Sequence, residues 1–130
     1  MLALIRRFHE AKLAARDEVV LWGTGSPRRE FLHVDDLADA CVYLMRHYDE
    51  SEHINVGTGA DQTIRELAEM VASIVHPDAT LRFDTSKPDG MPQKLLDVGR
   101  LHQLGWQHRI GLEKGIDSTY RWYLDQGSRG

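Results

Sequence analysis

Arg28-Arg29-Glu30-Phe31-Leu32-His33-Val34-Asp35-Asp36 decides how this chain is read, because a charged run passes into a hydrophobic alternation and then opens a helix. Phe31 to Val34 has the alternation of a short strand, and Leu37, Ala38, Cys41, Val42, Leu44, Met45 and Tyr48 mark a helix over about Val34 to Tyr48. Asp35 and Asp36 set negative charge at the positive end of that helix. A strand running into a helix, with two guanidiniums just before it, suggests a site at the junction. Planar, permanently charged forks suit phosphate or carboxylate, although an arginine pair also serves as plain solvated surface.

Upstream, Leu4, Ile5, Phe8, Ala11 and Ala15 recur at helical spacing, so residues 2–15 read as an amphipathic helix with Arg6, Arg7 and Lys12 near its polar side. No capping residue precedes it, which predicts that the natural fold begins before Met1. Val19 to Trp22 is a β-prone run closed by the loop Gly23-Thr24-Gly25-Ser26-Pro27. Downstream, His53 to Val56 reads as a further strand turning at Gly57-Thr58-Gly59. The helix that follows carries the capping box Thr63-Ile64-Arg65-Glu66 and an apolar face of Leu67, Met70, Val71 and Ile74. After Pro77 come a strand, Thr80 to Phe83, a polar loop, Asp84 to Gln93, and a short strand, Lys94 to Asp97. A short helix, Gly99 to Leu104, then ends at Gly105-Trp106, and a final helix from Leu112 to Gln126 bears Ile116, Tyr120, Tyr123 and Leu124. Short strands alternating with helices give an α/β class.

A chain of 130 residues with 42% hydrophobic content is long enough for one domain, residues 1–130, burying roughly 70% of its unfolded surface. Acidic residues (20) outnumber basic ones (16), so nucleic acid is not the expected partner. A lone cysteine, Cys41, excludes an internal disulfide, and no run nears the ~18 apolar residues of a membrane span, so a reducing, cytoplasmic setting is expected. The N-terminal charges follow a very short apolar run, the reverse of a secretory signal. Seven histidines and Cys41 lack the CxxC or HExxH spacing of a ligand set, and no metal site is expected. Cys41 is placed on the apolar face of its helix as a small buried hydrophobe. Trp106 and Trp122 are expected in the core, whereas Trp22, at a strand end beside a glycine loop, fits either core or a ligand contact. Gly57-Thr58-Gly59 lacks the third glycine of a dinucleotide loop and is followed by Asp61, so it reads as a structural turn. The loop Asp84 to Gly90, with Lys87, rigid Pro88 and the carboxylate of Asp89, is a second polar segment able to close on the same ligand as the arginines.

Taken together, Trp22-Gly23-Thr24-Gly25, Arg29 to Asp36, Ile54-Asn55-Val56-Gly57-Thr58-Gly59, Lys87-Pro88-Asp89-Gly90 and Lys94-Leu95-Leu96-Asp97 resemble the extended short-chain dehydrogenase/reductase superfamily, and within it the GDP-L-fucose synthase family. The Lys-Pro-Asp-Gly and Lys-Leu-Leu-Asp segments carry the narrower resemblance. It runs from about Leu4 through the final helix and covers the C-terminal part of that family only. It implies a substrate-binding portion whose N-terminal Rossmann half, with its NADP site, would lie before Met1. The resemblance implies an NADPH-dependent 3,5-epimerisation and 4-reduction of a GDP-4-keto-6-deoxy-mannose. It also implies that the family's Ser, Tyr and Lys for reduction, and its Cys and His for epimerisation, have no matching positions here, so that no residue is catalytic and neither His9 nor Cys41 inherits a role. What carries over is a GDP-sugar site of Arg7, Trp22, Arg29 and Asp89. Lys87 stands where related epimerases hold a phosphate-binding arginine, and Arg28 receives no role. The family's homodimer forms through the N-terminal half and is not expected of this chain. Two alternatives remain: a UDP- or dTDP-sugar epimerase or dehydratase fragment, and a non-catalytic nucleotide-sugar-binding or interaction module.

Overall fold

Val19 and Leu21 are buried while Glu18 and Trp22 at the ends of the same strand are exposed, the alternation of a strand with one face on a core. The computed structural model describes residues 1–127. In chain order it contains α1 (Leu2–Leu13), β1 (Glu18–Trp22), β2 (Arg28–Glu30), α2 (Val34–His47), β3 (Asp61–Thr63), α3 (Ile64–Val75), β4 (Thr80–Asp84), β5 (Gln93–Lys94), α4 (Gly99–Gln103) and α5 (Leu112–Gly127). β1 and β4 pair in parallel, with Glu18 opposite Thr80 and Trp22 opposite Asp84. β2 is the middle strand of a second sheet, antiparallel to β3 and parallel to β5. The fold class is the expected α/β.

Two cores hold these elements. In the larger, Ile5, Phe8 and Ala11 of α1 and Leu67, Ala68, Val71, Ala72 and Val75 of α3 pack with Val19 and Leu21 of β1 and with Ile116 and Tyr120 of α5. The capping box of α3 forms as the sequence predicts, Thr63 accepting from the Glu66 N–H and Glu66 accepting from the Thr63 N–H. The smaller core joins Ala40, Leu101 and Trp106 with Leu32, Tyr43, Leu44, Ile54 and Val56. Asp36, only 4% exposed, accepts from the backbone N–H groups of Arg109 and Ile110, and the Trp106 indole N–H donates to Asp39 at 2.8 Å. Asp36 therefore ties α2 to a distant loop, and the cap of α2 is instead His33, whose ring nitrogen accepts from the Asp35 N–H.

Several expectations need correction. Residues 31–34 are not a strand: the ladder begins three residues earlier, over Arg28–Glu30, where partners exist on both sides. The alternation of Phe31 and Leu32 reflects burial into different cores, Phe31 against the larger and Leu32 against the smaller. His53 to Val56 forms no ladder; Ile54 and Val56 pack on the smaller core, and the segment is held by Arg100 donating to the His53 carbonyl and Asn55 donating to the Asp97 carbonyl. The strand expected over residues 94–97 is confined to Gln93–Lys94. Cys41 is exposed, and Trp122 is 53% exposed on the outer side of α5, whereas Trp106 is buried as expected.

Cys41 is exposed because the apolar stripe on which it lies faces outward. Val34, Leu37, Ala38, Cys41, Val42 and Met45 fall at i, i+3, i+4, i+7, i+8 and i+11 along α2, and all are exposed, Met45 by 85%. The opposite side of α2, carrying Ala40, Tyr43 and Leu44, is the one that meets the smaller core. No helix among the described residues is long and apolar enough to cross a membrane. An uncovered helical stripe of this kind drives association in water. The isolated chain is expected to self-associate as its concentration rises in sedimentation velocity. Met45→Glu is expected to shift it toward monomer while changing stability by no more than about 0.5 kcal/mol, as befits an exposed position. A wild-type chain that stays monomeric throughout contradicts this reading of the stripe.

Candidate functional site

Trp22, at the C-terminal end of β1, is 70% exposed, which removes the core alternative for this residue. The chain leaves β1 through Gly23 and Gly25, both at positive φ (84° and 79°), a backbone that favours glycine. A Cβ on Gly23 would fall 2.2 Å from Asp89 Oδ1, so the turn admits the Asp89 carboxylate only because no side chain stands there. The Thr24 N–H donates to Asp89 Oδ1 at 2.8 Å and the Thr24 hydroxyl to Asp89 Oδ2 at 2.7 Å. These bonds, the hydroxyl first, hold the Asp89 carboxyl below the usual carboxylate range.

The same loop reaches two further side chains. The Lys87 ammonium lies 5.7 Å from the centroid of the Trp22 ring, within cation–π range. A Cβ on Gly90 would lie 3.4 Å from Arg29 Nη2, which places the loop backbone against that guanidinium. Arg29 Nη1 donates to the Arg28 carbonyl at 2.6 Å, folding the side chain along β2 and leaving its other N–H groups. Of the four positions expected to bind substrate, Trp22, Arg29 and Asp89 are thus linked through the residue 85–90 loop. Arg7 stands on the flank of β1, donating to the Val20 carbonyl at 3.1 Å two residues before Trp22.

Arg28 and Arg29 separate as strand neighbours do, one to each face. Arg28 pairs with Asp61 at 2.8 Å across the β2–β3 ladder, and Gln93 donates to the other oxygen of Asp61. Gln93 first, then Arg28, hold the Asp61 carboxyl low. Arg28 is therefore structural, and Asp61 is its counter-ion. Glu30, on the same face as Arg28, accepts from the Thr58 N–H and hydroxyl and from the Gly59 N–H through Oε1, and from the Leu96 N–H through Oε2. The Gly57-Thr58-Gly59 turn thereby gives its amides to a carboxylate of the chain itself. A Cβ on Gly57 would collide with that carboxylate at 2.3 Å. A pyrophosphate does not fit a turn already holding a negative charge, and no dinucleotide site is built on it.

Sequence reasoning missed Thr24 and Glu30. Both act on partners far along the chain, 65 residues for Thr24 to Asp89 and 28 for Glu30 to Thr58. The only local signal was the spacing of the glycines, Gly23 with Gly25 and Gly57 with Gly59, which marks backbone lying close to something.

Comparison with known proteins follows the same line. Residues 1–57 match the NAD dependent epimerase/dehydratase family. The chain is 58% identical over 123 residues to putative GDP-L-fucose synthase 2 of Arabidopsis thaliana, covering 95% of this chain and 38% of that protein. It is 54% identical over 136 residues to GDP-L-fucose synthase of Escherichia coli strain K12, covering 98% of this chain and 42% of the relative. Among solved structures, MlghC, a GDP-mannoheptose C4 reductase of Campylobacter jejuni with NADP bound, superposes with a TM-score of 0.80 at 41% identity, over 95% of this chain and 44% of that one. The chain is thus similar, over residues 1–57, to the epimerase/dehydratase proteins. Within that class its resemblance is to the GDP-L-fucose synthases, as the Lys-Pro-Asp-Gly and Lys-Leu-Leu-Asp segments suggest, and it spans about two fifths of the length of the curated relatives it matches.

Glu30 offers a test of how the site is held. Burial pushes its carboxyl up, but the N–H groups of Leu96, Gly59 and Thr58 and the Thr58 hydroxyl outweigh this and hold it below the ordinary range. A depressed folded value means that its contribution is complete above the ordinary glutamate range, about pH 4.3, and is lost as pH falls below it. In Glu30→Gln an amide N–H2 must face donors from Thr58 or Leu96, and the variant is expected to lose about 1–3 kcal/mol at neutral pH. Thermal unfolding between about pH 3 and pH 7 should show a shallower acid limb than the wild type. Parallel curves for the two proteins would show that Glu30 is not the carboxylate that matters.

Proposed function

We propose that residues 1–130 form the C-terminal, nucleotide-sugar-binding part of a GDP-L-fucose synthase-like enzyme, and that this part is catalytically silent alone. The whole reaction is the NADPH-dependent 3,5-epimerisation and 4-reduction of GDP-4-keto-6-deoxy-mannose to GDP-L-fucose. The observation that carries the proposal is the exposed Trp22 ring with the Lys87 ammonium beside it, linked through one loop to Asp89 and to the half-buried Arg29. An aromatic face, two cations and a carboxylate are the groups that a purine diphosphate sugar calls for. The similarity to GDP-L-fucose synthases supports the choice of guanine nucleotide.

In this reading Trp22 offers its face to the base or ribose, Arg29 and Lys87 meet the diphosphate, and Arg7 meets the diphosphate or ribose from the flank of β1. Asp89 retains lone pairs for ligand hydroxyls or the base beyond those Thr24 occupies. Reduction takes its hydride from NADPH, whose site we assign to the part of such an enzyme that corresponds to no residue of this chain. One wall of a cleft binds a substrate without stabilising its transition state differentially, which is why silence is expected. The assembled enzyme is proposed to be cytoplasmic, and the family's homodimer, formed through the other half of such an enzyme, is distinct from the association expected of the exposed α2 stripe.

Calorimetry with the purified chain is expected to show GDP bound in preference to UDP, and Arg29→Met to weaken GDP by about tenfold or more, the usual effect of losing a charge-assisted contact. Supplied with NADPH and the keto sugar, the chain is expected to leave the cofactor absorbance unchanged. A preference for UDP favours the UDP- or dTDP-sugar alternative, and NADPH oxidation by the chain alone contradicts its silence.

A further inference from the structure

We propose that Thr24 is a positioning residue for ligand binding: by holding both oxygens of Asp89 it closes the residue 85–90 loop onto the end of β1, setting Lys87 against Trp22 and Gly90 against Arg29. This inference rests on the nucleotide-sugar reading of the site and deepens it. The loop between β4 and β5 is tied at both ends by its own neighbours. At its start Ser86 bonds Asp84 through its N–H at 3.1 Å and its hydroxyl at 2.6 Å, and the Lys87 N–H reaches the Asp84 carbonyl at 3.2 Å. At its end the Arg28 N–H donates to the Pro92 carbonyl at 2.7 Å. Between these ends, among the described residues, the hydrogen bonds that hold residues 88–91 are the two from Thr24 to Asp89.

Thr24 is itself firmly placed. Its carbonyl accepts from Arg65 Nη2 at 3.1 Å, the Arg65 N–H donates to the Gly25 carbonyl, and the Arg65 guanidinium lies 4.0 Å over the Phe83 ring. The clasp is thus anchored to α3 and β4. The hydroxyl inventory is complete as well. With its proton given to Asp89 Oδ2, Thr24 Oγ1 has lone pairs for the Ser26 hydroxyl at 2.5 Å and the Ser26 N–H at 3.1 Å. Gly23 supplies an independent sign that the carboxylate is accommodated by design of the turn, since any side chain there would displace Asp89. A loop ordered in advance binds without the cost of ordering it at the moment of contact, so loss of the clasp should appear in affinity.

Two variants separate a clasp from a merely structural threonine. Thr24→Val keeps the shape and the N–H but loses the hydroxyl donor, and Thr24→Ser keeps the hydroxyl. GDP affinity is read by calorimetry, and closure of the loop by hydrogen exchange of the residue 24 amide, which donates to Asp89 Oδ1. Thr24→Val is expected to bind GDP about tenfold more weakly and to exchange faster at that amide. Thr24→Ser is expected to restore both, with melting temperatures of the two variants alike. Wild-type affinity in Thr24→Val, or failure of Thr24→Ser to rescue it, overturns the proposal while leaving the nucleotide-sugar reading intact. A wild-type chain that takes up no GDP overturns that reading, and the ligand role of Thr24 with it.

Discussion

The Glu30 carboxylate is the contact on which the arrangement around the site depends. From the end of a strand only three residues long it gathers the 57–59 turn with one oxygen and the start of the 95–97 segment with the other. Charge-assisted bonds of this kind are stronger than neutral ones, and here they stand in for a hydrophobic core that so small a sheet cannot build. Fixing β2 between β3 and β5 fixes the alternation of its side chains. Arg28 and Glu30 turn to the framework, and Arg29, between them, is left for the other face. The role of each arginine follows from strand geometry, not from its own chemistry.

From that constraint the candidate site assembles outward. β5 follows the residue 85–92 loop, and its pairing with β2 brings that loop beside Arg29. The parallel pairing of β1 with β4 puts Trp22 opposite Asp84, where the same loop begins. Two sheets therefore deliver the two ends of one loop, and Thr24 closes its middle on Asp89. The apolar stripe on α2 lies elsewhere, on a part of the chain that its own two cores leave uncovered. A chain spanning about two fifths of its relatives' length is expected to show such surfaces.

Much of this was legible in the sequence because it is local. The capping box of α3, the amphipathic face of α1, the order of helices and the loop expected over residues 84–93, which occupies residues 85–92, all rest on neighbours within a few positions. What failed was whatever depends on a distant partner. Phe31 to Val34 alternates like a strand, but its side chains serve two cores, while Arg28–Glu30 is the strand because β3 and β5 lie beside it. Asp61–Thr63 lacks a β-prone run, and it pairs with β2 through a backbone ladder to which the Arg28–Asp61 ion pair adds a contact. Cys41 and Trp122 sit in apolar patterns that turn outward, and no pattern in one chain says which of two apolar faces its own core will take. Of the candidate site, Trp22, Arg29 and Asp89 were singled out through the motif resemblance, whereas Thr24 and Glu30 emerge only from the folded chain.

The central claim is that the end of β1 and the loop facing it form a wall for a guanine nucleotide sugar. The three tryptophans allow a direct reading in one spectrum, since Trp22 lies at that wall, Trp106 is buried in the smaller core and Trp122 lies on α5. Titration of GDP into the nitrogen-15-labelled chain should move the Trp22 indole signal saturably and leave those of Trp106 and Trp122 in place. A Trp22 signal that does not move, or one that moves only together with Trp122, would contradict the account.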